Sequence, residues 1–251
     1  MPATKTDTAK YVYGVLASGA AAPPGHGIDD APLAVVPRDG VAALVSDVPA
    51  DFLEAGREEL LTHSRVLEEA MKRSVVLPMR FGVVLPDEAA VQERLLDPYA
   101  EELEAQLRAM EGKVEITIKG IYDEAAILRE VLAENREIAK LREAIHGKPE
   151  DATYYQRIEL GELVAAALDE KRAAAAPEIV DRLALLAADV RVGEPVHERM
   201  AVNASFLVER DRLAEFDRAV DRLGAEQAGR IQLKYTGPLP PHSFVALGVG
   251  G

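Results

Sequence analysis

The chain has 251 residues, enough for one large domain or two of ordinary size. Its 43 acidic residues outnumber its 29 basic ones, and the formal net charge of −14 opposes nucleic-acid binding because the basic residues are interleaved with acids instead of gathered in a patch. The absence of cysteine excludes disulfides, cysteine nucleophiles and thiolate metal sites, and with no tryptophan and 5% aromatic residues no broad base-stacking surface is expected.

The first ten residues, MPATKTDTAK, are polar and predict a disordered tail over residues 1–10. No apolar secretion signal follows them and no apolar run is long enough to span a bilayer, so a cytoplasmic protein without membrane contact is expected. Tyr11–Leu16 (YVYGVL) predicts a strand, and the Gly-, Pro- and Ala-rich stretch after it a long loop. LAVVP and VAALVS are two short apolar runs around Asp39-Gly40, a hairpin signal. From Asp51 to Ser74 a helix is expected, with Leu60, His63, Ser64, Leu67 and Met71 at helical spacing. VVLPMRFGVVLP, interrupted by Pro78 and Gly82, predicts a short strand and an irregular connection carrying Arg80 and Phe81 toward the core. Asp87 caps the next helix, which Asp97-Pro98 kinks or splits and Gly112 ends.

KVEITIKGIY alternates best: Val114, Ile116 and Ile118 fall on one face, and Lys113, Glu115, Thr117 and Lys119 on the other. Helical patterns follow from Asp123 to Ile145 and again from Thr153, with Pro177 as a kink or boundary. DVRVGEPV and MAVNASFLVE predict strands. An amphipathic helix with the stripe Leu213, Phe216, Val220 and Leu223 comes next, stopped by Gly224, and GRIQLKYTG is the last strand. The order predicts an α+β protein of two domains. The first is a smaller α+β layer at 11–111. The second, at 112–251, is a ferredoxin-like (βαββαβ) domain with an enlarged helical crossover and a Pro-rich tail.

Chemical motifs are sparse. The five histidines form no H-x-x-x-H pair, and there is no G-x-S-x-G elbow or phosphate-binding loop. Paired acids such as Glu58-Glu59 sit among Arg and Lys on solvated helix faces, so no catalytic, cofactor or metal residue is assigned and a non-enzyme is expected. The candidate partner contacts are Arg80, Phe81, Tyr154, Tyr155, Pro238, Pro241 and Phe244. Arg80 is either a salt-bridged or snorkelling arginine or a charge at a partner surface. Tyr154 and Tyr155 either pack between domains or anchor a partner. The tail either packs back across the second domain or docks elsewhere.

In order, YVYGVL, HSRVLEEAMKRSVVLPMRFGVVL, KVEITIKG, MAVNASFLVER and LKYTGPLPPHSFVAL together resemble the gas vesicle protein F/L family (GvpF/GvpL) over nearly all of the chain after Lys10. The combination of His63 with Val66-Leu67, Leu77–Gly82, Asn203-Ala204, Thr236–Pro238, Pro240-Pro241 and Phe244 carries the resemblance; His242 stands where family members often have an aromatic residue. The resemblance implies a non-enzymatic assembly factor or minor shell-associated component of a gas-filled buoyancy organelle, found at the vesicle and in the cytoplasm. It implies contact with the very hydrophobic major shell protein and with other accessory proteins, and two α+β domains, at least one ferredoxin-like. A general protein-interaction adaptor and, more remotely, an enzyme on an α+β scaffold are the alternatives.

Overall fold

The computed structural model describes residues 8–52 and 56–246. The chain divides into two compact units, Met1–Glu115 with Pro238–Gly251, and Ile116–Gly237.

The first unit opens with β1 (Thr8–Ala17), β2 (Leu33–Pro37) and β3 (Val41–Pro49). Then come α1 (Arg57–Met71), β4 (Val76–Pro78), β5 (Val84–Leu85), α2 (Glu88–Val91) and α3 (Ala100–Met110). The sheet order is β2-β3-β1-β4, with β5 also on β1, and every pairing is antiparallel. Every residue of β1 from Tyr11 to Leu16 is buried, which explains its continuous apolar run in place of alternation. The β2–β3 hairpin turns at Asp39-Gly40, where Gly40 has φ +78° and Arg38 N–H donates to the Val41 carbonyl at 2.9 Å. In β1 the register shifts between Val12 and Gly14, so Tyr13 is the extra residue of a bulge.

Two details differ from the sequence reading, and the helix after Asp87 agrees with it. Strand β1 begins at Thr8, so Thr8–Lys10 are not tail; Lys10 Nζ pairs with Asp47 at 2.8 Å and Glu88 at 3.1 Å and holds the strand end (residues 1–7 lie outside the described residues). On α1, Leu60 is exposed, and the buried face is His63, Val66, Leu67, Ala70 and Met71. Asp87 does cap α2, accepting from Ala90 N–H at 2.7 Å. Helix then continues to Met110 through a π-helical turn at Gln92–Leu96 and a 3-10 turn at Asp97–Tyr99, where Pro98 removes a backbone donor.

The second sheet uses β6 (Lys113–Tyr122), β7 (Asp189–Val192), β8 (Met200–Glu209) and β9 (Ile231–Leu239), in the order β7-β8-β6-β9. The β7–β8 pair is antiparallel. Tyr122 N–H donates to the Arg199 carbonyl and Asp123 N–H to the Arg230 carbonyl, both at 2.8 Å. The end of β6 therefore lies at the starts of β8 and β9, antiparallel to both.

The helices of this unit are α4 (Glu124–Glu134), α5 (Arg136–Ile145), α6 (Tyr154–Ala184) and α7 (Leu213–Glu226). The predicted run from Asp123 to Ile145 is two helices, because Asn135 Oδ1 accepts from the Glu137 and Ile138 amides and starts a new one. Conversely, α6 runs through Pro177 without a boundary. Ala173, whose carbonyl loses its partner there, is exposed and open to water, while Ala175, Ile179, Val180 and Leu183 pack the last turns. Helix α7 runs past Gly224 to Glu226 and buries Phe216, Ala219, Val220 and Leu223. Phe206 of β8 and Phe216 sit 5.4 Å apart in this core.

Glu130 of α4 bridges Arg230 at 2.8 Å and Lys171 of α6 at 3.2 Å. Burial pushes this carboxyl up, but the two cations outweigh that and hold it below the usual carboxylate range. The ion pairs fix α4 against α6.

Candidate functional site

The strings YVYG, HS and PMRFG are far apart in sequence and meet around His63. The ring of Tyr11 lies 4.9 Å from Tyr13, 5.7 Å from His63, 6.2 Å from Phe81 and 6.0 Å from Phe52. His63 is 3% exposed. The Tyr11 hydroxyl accepts from Gly82 N–H at 3.0 Å and shares a hydrogen bond with His63 Nδ1, also at 3.0 Å. The other ring nitrogen, Nε2, is buried and makes no hydrogen bond within ordinary geometry. Burial pushes the His63 pKa down to about 4, His242 adds to the shift, and the Met79 backbone opposes it.

Tyr13 does for the first loop what Tyr11 does for the Phe81-Gly82 connection. Its hydroxyl accepts from Ile28 N–H and meets Ser46 Oγ, both at 2.8 Å. The Gly- and Pro-rich loop is thus tied to the sheet at Ile28. Burial pushes both phenols up, so Tyr11, Tyr13 and His63 are all neutral at neutral pH. This hub positions backbone, tying the Gly82 and Ile28 amides to the two tyrosine hydroxyls of β1.

The seven predicted contact residues do not converge on one place. Arg80 is exposed and makes no ion pair among the described residues, while Phe81 beside it is half-buried in the hub. Tyr154 and Tyr155 are 61% and 83% exposed, with rings 5.4 Å apart. Residues 154–159 of α6 are all exposed, so neither ring is buried within the second unit. In the tail, Pro238 is exposed, Pro241 buried and Phe244 half-buried.

The tail belongs to the first unit, not the second. Glu115, expected on a polar face, is 3% exposed. Its carboxylate accepts from the Ser243 amide and the Ser243 hydroxyl, each at 2.7 Å. Gln106 adds a reciprocal pair with the Ala246 backbone at 3.0 and 3.2 Å. A carboxylate buried without such donors is costly, so the tail is what makes Glu115 tolerable.

The sequence reading missed a groove in the second unit lined by α4, α6 and the segment between β7 and β8, including Leu128, Val164, Leu168 and Val196. Leu128 and Val196 are exposed, and a helical pattern alone does not say which apolar residues remain uncovered. Among the described residues no cluster of three or more metal-ligating side chains occurs, and no helix is long and apolar enough to cross a membrane.

Several residues of the strings that carry the family resemblance, among them Tyr11, His63, Phe81, Gly82 and Ser243, build the hub and the tail clamp. The family described as "Gas vesicle synthesis protein GvpL/GvpF" matches residues 9–246, and the chain belongs to it. Membership gives the chain a role in gas vesicle formation and associates it with gas vesicle components. It is 42% identical to gas vesicle protein F of Streptomyces sp. (strain CB03234) over 240 residues, 94% of this chain and 98% of the relative. Gas vesicle protein F of Dolichospermum flosaquae is 27% identical, covering 88% and 91% of the two chains. The crystal structure of GvpF from Anabaena sp. PCC7120 is similar with a TM-score of 0.80 at 25% identity, covering 95% of this chain and 98% of that one. That of GvpF from Microcystis aeruginosa gives 0.78 at 27%, covering 95% and 99%.

Proposed function

We propose that this chain is a non-enzymatic assembly protein or minor shell-associated component that contacts the major gas vesicle shell protein. The observation that carries the reading is apolar surface left open on a strongly acidic chain. Leu60, Leu61, Tyr154, Tyr155, Ile158 and Val196 are exposed, while the net charge is −14. A shell subunit exposes apolar surface before it joins the wall, and such surface aggregates. An acidic partner that covers it keeps the complex soluble. The same charge supports a role without nucleic acid, and the family supports a place at the vesicle.

The second unit is, on this reading, a ferredoxin-like domain with α4, α5 and α6 as its enlarged first crossover. The strand order β7-β8-β6-β9 supports this, as does the chain order strand, helices, two strands, helix, strand. The two-domain division, with a boundary inside β6, is supported by the two compact units.

A quantitative pull-down with the major shell protein tests the contact. Saturable binding by the folded full chain is the expected result. Failure to bind, with circular dichroism unchanged, would shift the role to an adaptor working only through other accessory proteins.

A further inference from the structure

We infer that the groove between α4, α6 and the β7–β8 segment is a docking site for a basic amphipathic helix of a partner protein. Val164, Ala165, Leu168, Asp169 and Arg172 share one face of α6 and form one wall. Leu128 of α4 stands on the other side, and Val196, 73% exposed, forms a lip. The lip is held in place at both ends. Asn203 Nδ2 donates to the Glu194 carbonyl at 3.0 Å, and Arg172 donates to the Glu198 and Met200 carbonyls at 2.9 Å. An exposed valine on a segment pinned this way is pre-organised apolar surface.

Charge selects the occupant. Four carboxylates, of Glu124, Asp169, Glu194 and Glu198, line the groove against two guanidinium groups, of Arg172 and Arg199. Arg199 pairs with Glu124 at 3.2 Å and Arg172 with Asp169, so both cations are engaged. Glu194 and Glu198 pair with no cation among the described residues. An apolar channel rimmed by two free carboxylates fits an apolar stripe flanked by Lys or Arg.

Backbone chemistry selects a helix over a strand. The Glu194, Glu198 and Met200 carbonyls are taken by side chains, and Gly193 N–H by the Asn203 carbonyl. The segment therefore offers little main chain for strand addition, leaving recognition to side chains. The inference is independent of which vesicle component supplies the helix, so it stands or falls apart from the shell pull-down.

The test uses the full chain and two synthetic peptides of about 18 residues, helical, with leucines at i, i+3, i+4 and i+7 and flanked either by lysines or by glutamates. Fluorescence anisotropy should show saturable binding of the lysine peptide and at least about tenfold weaker binding of the glutamate peptide. Leu128→Asp should weaken the lysine peptide about tenfold, and Glu194→Lys with Glu198→Lys should reverse the preference. Circular dichroism of each variant confirms that it folds. Equal binding of both peptides, unchanged binding by folded Leu128→Asp, preference of the native chain for the acidic peptide, or no saturable binding would each overturn the inference.

Discussion

Lowering the pH from 6.5 to about 4 is expected to cost roughly 3 kcal/mol of stability through His63 alone, the linkage value of a shift from 6.5 to about 4 at about 1.4 kcal/mol per unit. Its buried imidazole stays neutral in the folded chain down to about pH 4, whereas the unfolded chain takes up the proton from about pH 6.5 downward. Between those values the unfolded state binds more protons, so stability falls as pH falls and levels off below about 4. Urea midpoints at several pH values should show this slope in the native protein. His63→Gln should be less stable at pH 7, having lost the packed ring, but its curve should converge on the native one as the pH drops. His242 is also lowered, and because its charge adds to the His63 shift, the difference between the two curves reports His63 together with that coupling. A difference that is constant with pH would mean that His63 is not held neutral by the hub.

Gly14→Val should be comparably damaging, by about 3 kcal/mol, with Gly14→Ala costing about 1–3 kcal/mol. A Cβ at Gly14 would lie 2.7 Å from the Leu77 carbonyl oxygen, 2.9 Å from Val76 Cγ2 and 3.1 Å from Leu67 Cδ2. The first of these is backbone of β4, paired to β1, and cannot swing aside as a flexible side-chain tip would. The bulge at Tyr13 and the close approach at Gly14 together let β1 sit between β3 and β4. Gly161, in the exposed part of α6, is the control: nothing lies within 4 Å of a Cβ there. Gly161→Ala should stabilise the chain by about 0.5–1 kcal/mol. Denaturant melts of the three variants check both signs; a mild Gly14→Val would contradict the packing described for β1 and β4.

How much of this was legible in the sequence depended on how local each cause was. Period-2 alternation in KVEITIKGIY, the Asp39-Gly40 turn and the Asp87 cap are set by neighbouring residues, and all three are found. The long helical stretch through Pro177 was legible, but the choice between a kink and a boundary there was not, because whether a proline ends a helix depends on the solvent at the carbonyl it frees. Asn135 was passed over because a helix–helix junction with one capping asparagine looks, in hydrophobic pattern, like one helix. Glu115 was assigned to an exposed face by alternation, and only the returning tail, 128 residues away, overrides that pattern. The hub was partly visible: Tyr11, His63 and Phe81 lay in the strings that carried the resemblance, but their meeting needed the fold. Tyr154 and Tyr155 show the reverse limit, since their sequence pattern does not tell that this turn of α6 is exposed within its own unit. The groove left no trace in the sequence, because Leu128, Val164 and Val196 come from three elements that only the tertiary structure brings together.

The central proposal, that this chain acts on the major shell protein itself, is tested most directly by light scattering. Shell protein is diluted from denaturant into buffer containing increasing amounts of the folded full chain. The account predicts that scattering falls with added chain and reaches its floor at a fixed molar ratio, with the shell protein recovered in a soluble complex. Scattering that is unchanged at every ratio, with all shell protein in the pellet and the chain left behind in the supernatant, would contradict it.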